Sequence, residues 1–147
     1  LPNLCLTRVS AKTPECLYVD QTIETPIAID ANMVTLWGKD ARTVRTTLAM
    51  LNSTWSKLSL ELICTVMGGG ALKVEASHIR KLLLPKFSQE QLEALEKTGE
   101  RLIAERQMTD ALQDRIDDIM VSVFQDKTAT QRMRDLLNRK YRERSTR

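Results

Sequence analysis

Aromatic residues make up only 4% of this 147-residue chain, too few to build a surface of base-stacking rings. There is one histidine, His78, so any Ser-His-Asp or Cys-His site would have to use it. His78 falls in a short basic segment, where a surface or packing role suits it better than that of a catalytic base. Cys5, Cys16 and Cys64 are odd in number, widely spaced and form no Cys-x-x-Cys pair. That pattern suits free thiols in a reducing compartment and gives no zinc-ligand spacing. None of Pro2, Pro14, Pro26 and Pro85 is followed by a second proline, and no phosphate-loop or dinucleotide-binding glycine motif occurs. Asp114, Asp117 and Asp118 cluster with Arg115 among them, which reads as a solvated helix face rather than a metal site. No apolar run approaches the ~20 residues that span a membrane. The N-terminus lacks the basic start and apolar stretch of a signal peptide. A cytoplasmic chain with no metal and no membrane association is expected. The missing initiator Met suggests a piece cut from a longer protein.

What is present suits a folded domain with a helical appendage. Apolar residues reach 42% and charged residues 28%. The net charge of +3 is unevenly placed: from Arg132 to Arg147 there are seven Lys/Arg and two Asp/Glu, so the basic excess lies in the tail. A basic tail can contact phosphate; equally, it can be a solvated helix end whose cations suit the helix dipole.

Up to residue 38 the sequence reads as strands and turns. Leu4 to Val9, Leu17 to Asp20, Ile27 to Asp30 and Met33 to Trp37 are short runs rich in Val, Ile, Leu and Thr, and Ile27 to Trp37 reads as a hairpin. A helix starts after Asp40, and Val44, Leu48, Leu51, Trp55, Leu58 and Leu62 recur on one face. Asn52-Ser53-Thr54 are weak helix formers, so two helices, the second capped by Asn52 or Ser53, are an alternative to one. Gly68-Gly69-Gly70 cannot be helix interior; it allows positive φ and close backbone approach. Ala71 to Glu75 reads as a strand, and Ser77 as the cap of a short helix from His78 that Pro85 stops. Ser88 and Gln91 form a capping box, and Thr128 and Gln131 another. Between them, Leu92, Leu95, Leu102 and Ile103, then Leu112, Ile116, Ile119, Met120 and Val123, mark two apolar faces. Met133, Leu136, Leu137 and Tyr141 line a last amphipathic helix. The fold class is α+β: a small N-terminal strand-rich unit packed on helices (1–86), then a helical hairpin or bundle with a basic tail (87–147).

The chemistry this supports is binding. Lys73 lies on the strand after the glycines, and His78, Arg80 and Lys81 lie on the short helix beyond it. Glycine turns and helix N-termini let backbone N–H groups approach phosphate, and a basic side chain on a strand can reach a base edge. Gly68, Gly69 and Gly70 also fit a plain turn, and Lys73 a solvated position. The candidate DNA-contacting residues are Arg8, Lys73, His78, Arg80 and Lys81, with Arg139, Lys140, Arg142 and Arg144 as candidate phosphate contacts.

The order of these motifs carries a resemblance. Leu51-Asn52-Ser53, then Gly68-Gly69-Gly70-Ala71-Leu72-Lys73-Val74, then Ile79-Arg80-Lys81-Leu82 and Leu84-Pro85 resembles the C-terminal target-recognition region of adenine-specific (amino-methylating) DNA methyltransferases of restriction–modification type. Ser88-Gln89-Glu90-Gln91-Leu92 looks like the helix that follows a similar Leu-Pro exit in type I specificity subunits, and Arg115 to Val121 is similar to a segment near the end of many such methyltransferases. The resemblance implies double-stranded DNA as partner and a methyltransferase domain upstream in the same protein. The family's Pro-Pro-aromatic catalytic motif and its glycine-rich S-adenosylmethionine motif are both missing. The fragment is therefore expected to have no catalytic residue and no cofactor of its own, with S-adenosylmethionine belonging to the parent enzyme. The alternative is a helical protein-interaction or dimerisation module that self-associates or docks without touching DNA.

Overall fold

The computed structural model describes residues 1–124, 126 and 128–146. Arg147, counted in the basic tail above, lies outside them. The chain is α+β, in the order β1 (Leu4–Thr7), β2 (Val9–Ser10), β3 (Leu17–Tyr18), β4 (Met33–Leu36), α1 (Ala41–Asn52), α2 (Thr54–Ile63), β5 (Thr65–Val66), β6 (Leu72–Lys73), α3 (Ala76–Arg80), α4 (Gln89–Glu105), α5 (Asp110–Val121) and α6 (Ala129–Ser145). Among the described residues, six short strands form two antiparallel sheets of three, ordered β3–β1–β4 and β2–β6–β5. Arg8 joins the sheets through its backbone. Its N–H donates to the Asn32 carbonyl at 2.7 Å, and its own carbonyl accepts from the Val74 N–H at 2.7 Å.

The expected hairpin from Ile27 to Trp37 does not form. Within that stretch Met33–Leu36 is the strand, and its partner is β1, with Leu4 opposite Leu36 and Leu6 opposite Val34. The buried Leu4-Cys5-Leu6 run offers β4 an apolar partner that the exposed Ile27–Asp30 segment cannot.

Local capping sets the helix boundaries. Asp40 accepts the Thr43 N–H at 2.7 Å and starts α1. Ser53 ends α1 and caps α2, its hydroxyl donating to the Met50 carbonyl at 2.6 Å and accepting the Ser56 N–H at 3.1 Å. Asn52 does something else. Its side chain pairs with both backbone groups of Cys16, at 3.0 and 2.8 Å, and also donates to the Leu48 carbonyl. It thus acts as an extra peptide group that pins the approach to β3 onto α1. The break at Ser53 turns the apolar seam: Val44, Leu48 and Leu51 are buried, whereas Leu62 is 62% exposed.

The Ser88–Gln91 capping box forms in both directions, at 3.2 and 2.8 Å. Helix α4 stops at Arg106, whose φ of 56° is left-handed, and Thr109 caps α5. Two expected caps differ. Glu75, not Ser77, is the N-cap of α3, because the ring of His78 turns back to the Glu75 N–H. The Thr128–Gln131 box does not form: Thr128 bonds Asp126 and Gln131 bonds Asp135.

The expected boundary at residue 86/87 separates element types, but one core crosses it. Leu4, Leu6, Val44, Leu48 and Leu51 pack with Leu102 and Leu112, and Ala49 packs with Leu95, Ile116 and Met120. Helix α4 approaches α1 so closely that a Cβ on Gly99 would collide with the Arg45 carbonyl. Gly99→Ala is therefore expected to destabilise the fold by ~1–3 kcal/mol, seen as a lower urea midpoint, because the two backbones must move apart. An unchanged midpoint would contradict this contact.

Candidate nucleic-acid interface

Two of the basic candidates converge on the carboxylate of Glu75, which the sequence reading did not single out, and a third bonds its backbone N–H. Arg8 Nη2 lies 3.2 Å from Glu75 Oε1, and Lys73 Nζ lies 2.9 Å from the same oxygen. The Glu75 N–H donates to His78 Nδ1 at 3.1 Å. That bond engages Nδ1 and orients the ring. Arg8 also donates to the Ala31 carbonyl. Hydrogen bonding from Lys73, then from Arg8, holds the Glu75 carboxyl below the usual carboxylate range, so it stays ionised. All four side chains are partly exposed.

The second sheet sets their direction. Leu72 and Val74 point into a small core with Leu60 and are fully buried. Alternation along the chain then sends Lys73 and Glu75 outward together. Register places Val9 and Thr65 on either side of Lys73. The outer row therefore reads Val9–Lys73–Thr65, with Val9 47% exposed. This face offers cationic donors, a fixed carboxylate acceptor and two methyl-bearing side chains. The signal for Glu75 was present in the sequence, since residues two apart on a strand share a face.

Arg80 and Lys81 are exposed at the end of α3, beside this face in the chain. On α6, Arg139 and Lys140 lie 3.8 and 3.1 Å from Glu143 and remain solvent-accessible, and Arg142 is exposed. Among the described residues, Arg80, Lys81 and Arg142 have no ion pair.

Arg144 is a correction. It is buried, at 5% side-chain exposure, and cannot serve as a phosphate contact. Its guanidinium donates to both oxygens of Glu61, at 3.0 and 2.8 Å, and to the Gly70 carbonyl. Thr13 donates to Glu61 at 2.7 Å, and Tyr141 donates to Thr13 at 3.2 Å. This network ties α6 to α2, to the glycine turn and to the segment after β2. It also redefines the glycines. Gly69 and Gly70 have φ of 76° and 77°, and a Cβ on Gly70 would strike the Arg144 carbonyl. The close approach that Gly70 allows is to α6; Gly68 and Gly69 are exposed.

The aspartate cluster is the second correction. Asp114 and Asp118 are exposed, but Asp117 is fully buried. It accepts the Thr54 N–H at 2.8 Å, the Thr54 hydroxyl at 2.7 Å, Gln113 at 3.1 Å and Arg134 at 2.8 Å. The carboxylate holds the first turn of α2 against α5 and α6. Among the described residues, no group of His, Cys, Asp and Glu could hold a metal, and no helix is long and apolar enough to cross a membrane. Burial pushes the Cys5 and Cys16 thiols up, and Cys64 up to about 12, so none is poised as a thiolate nucleophile.

A groove of about 840 Å³ runs along α6, with Met133, Leu136 and Arg139 on one side and Trp55 and Phe124 on the other. The two aromatic rings stack at 5.2 Å. Compared with protein-family models, curated proteins and solved structures, the chain matches none.

Proposed function

We propose that this chain is a DNA target-recognition fragment of an adenine-specific DNA methyltransferase of restriction–modification type, lacking the catalytic domain. The outer face of the β2–β6–β5 sheet meets the duplex, and methyl transfer belongs to an upstream domain of the same protein. The observation that carries the reading is the gathering of Arg8, from the segment between β1 and β2, with Lys73 and His78, from the β6–α3 stretch, around Glu75 on one partly exposed surface. The order of the Leu-Asn-Ser, triple-glycine and Leu-Pro motifs supports it. Two parts of that order have defined contacts: Ser53 sets the α1–α2 junction while Asn52 pins the approach to β3, and Gly70 lets α6 approach the glycine turn. Arg80, Lys81, Arg139, Lys140 and Arg142 supply the phosphate contacts that position the duplex, while the sheet face reads it.

Binding of a labelled mixed-sequence duplex, followed by fluorescence anisotropy against salt, tests the proposal. With about five phosphates neutralised, affinity is expected to fall on the order of 500-fold between ~50 and ~200 mM salt. Undetectable duplex binding at ~50 mM salt would count against it. The alternative, a helical interaction module, rests on the groove beside Trp55 and Phe124. It requires salt-insensitive self-association or docking in place of the steep salt dependence.

A further inference from the structure

We infer that Lys73 and Glu75 act as one unit that reads a single G·C base pair in the major groove, an inference that rests on the DNA-recognition reading above. The major-groove edge of a G·C pair presents guanine O6, an acceptor, directly beside cytosine N4, a donor. Those two atoms are themselves hydrogen-bonded, at the usual separation of about 2.9 Å. Lys73 Nζ and Glu75 Oε1 lie 2.9 Å apart on the same sheet face. Laid against the base pair, the ammonium meets O6 and the carboxylate meets N4. Donor faces acceptor at both points.

The other three pairings fit less well. In a T·A pair thymine O4 and adenine N6 keep the same acceptor–donor order, and the thymine methyl beside O4 crowds the approach. A·T and C·G pairs reverse the order, set ammonium against amino group and carboxylate against carbonyl, and like meets like. Phosphate is also disfavoured here, because an oxyanion reaching Lys73 or Arg8 would meet the ionised Glu75.

The unit is pre-set. Arg8 holds the same carboxylate oxygen at 3.2 Å, and the Glu75 backbone is fixed by His78. Lys73 sits mid-row between Val9 and Thr65, whose methyl groups suit apolar contact with neighbouring thymines. Half-exposed side chains held in this way bind with little loss of rotamer freedom. An exposed ion pair contributes little to stability, so Lys73 and Glu75 can be changed with the fold intact.

The test is selection from a random duplex pool with the 147-residue chain, its Glu75→Gln and Lys73→Ala variants, and an Arg80→Ala/Lys81→Ala control, each first shown to unfold at the same urea midpoint as the parent. The unchanged chain is expected to enrich duplexes with one invariant G·C pair. Glu75→Gln should relax the preference at that pair by about ten-fold or more and leave other positions intact. Lys73→Ala should relax the same pair, whereas the control should weaken all duplexes alike and lower the log–log salt slope. The inference is overturned if both sheet variants enrich the same sequences as the unchanged chain, or if Lys73→Ala weakens every duplex uniformly. Failure of the unchanged chain to bind any duplex would overturn the DNA-recognition reading itself.

Discussion

Arg144→Ala is expected to destabilise the fold by about 3–5 kcal/mol, because it leaves a buried carboxylate without its counter-ion. Arg144 and Glu61 are 5% and 2% exposed, and their two short hydrogen bonds are the interior link between α6 and α2. The same substitution removes the donor to the Gly70 carbonyl and the cation over the Tyr141 ring. A surface arginine of a basic tail would behave differently, since an exposed pair is worth only ~0–1 kcal/mol. Glu61→Leu and Arg144→Met should each be comparably destabilising on their own. The Glu61→Leu/Arg144→Met double variant should be less destabilised than the sum of its parts, because no unpaired charge is left buried. Urea unfolding of the four proteins measures this coupling, and simple additivity would contradict the arrangement.

Asp117→Ala is expected to have an effect of the same order, about 3–5 kcal/mol, by a different route. The Thr54 N–H belongs to the first turn of α2, where no helical carbonyl can receive it, and Asp117 is its buried acceptor. Removing the carboxylate strands that N–H and the Thr54 hydroxyl, and leaves the Arg134 guanidinium with Asp114 alone. Asp117→Asn keeps the shape and one acceptor, so a smaller cost of about 1–3 kcal/mol is expected. Asp114→Asn and Asp118→Asn serve as controls on the exposed part of the same helix and should change stability by ~0.5 kcal/mol or less. Equal effects from Asp114, Asp117 and Asp118 would mean that the cluster is a solvated face after all.

These two residues also mark where the sequence stopped being readable. Asp40, Ser53, Ser88 and Thr109 place helix starts, and each accepts an N–H within three residues, so the signal is local and survives in the sequence. The break between α1 and α2 was legible for the same reason. Asp117 and Arg144 resemble ordinary surface charges among other charges because their partners, Thr54 and Glu61, lie far away along the chain. The β1–β4 pairing was hidden likewise: the hairpin reading preferred a neighbour, while the buried ladder joins residues 4–7 to 33–36. Of the candidate site, Arg8, Lys73 and His78 are legible from their residue types, whereas Glu75, which bonds all three, carries the opposite charge and does not stand out as a basic residue does. The burial of Arg144 removes one of the candidate phosphate contacts and clamps the basic end of the last helix through its final turn.

The most direct measurement is amide chemical-shift mapping of the isotope-labelled chain as a DNA duplex is added at low salt. If the β2–β6–β5 face meets the duplex, the perturbed amides will cluster at Arg8, Val9, Thr65, Lys73, Glu75 and His78, with smaller changes at Arg80 and Lys81. Perturbations confined to α4, α5 or the groove beside Trp55 and Phe124, with the sheet face unmoved, would contradict the assignment of that face to DNA.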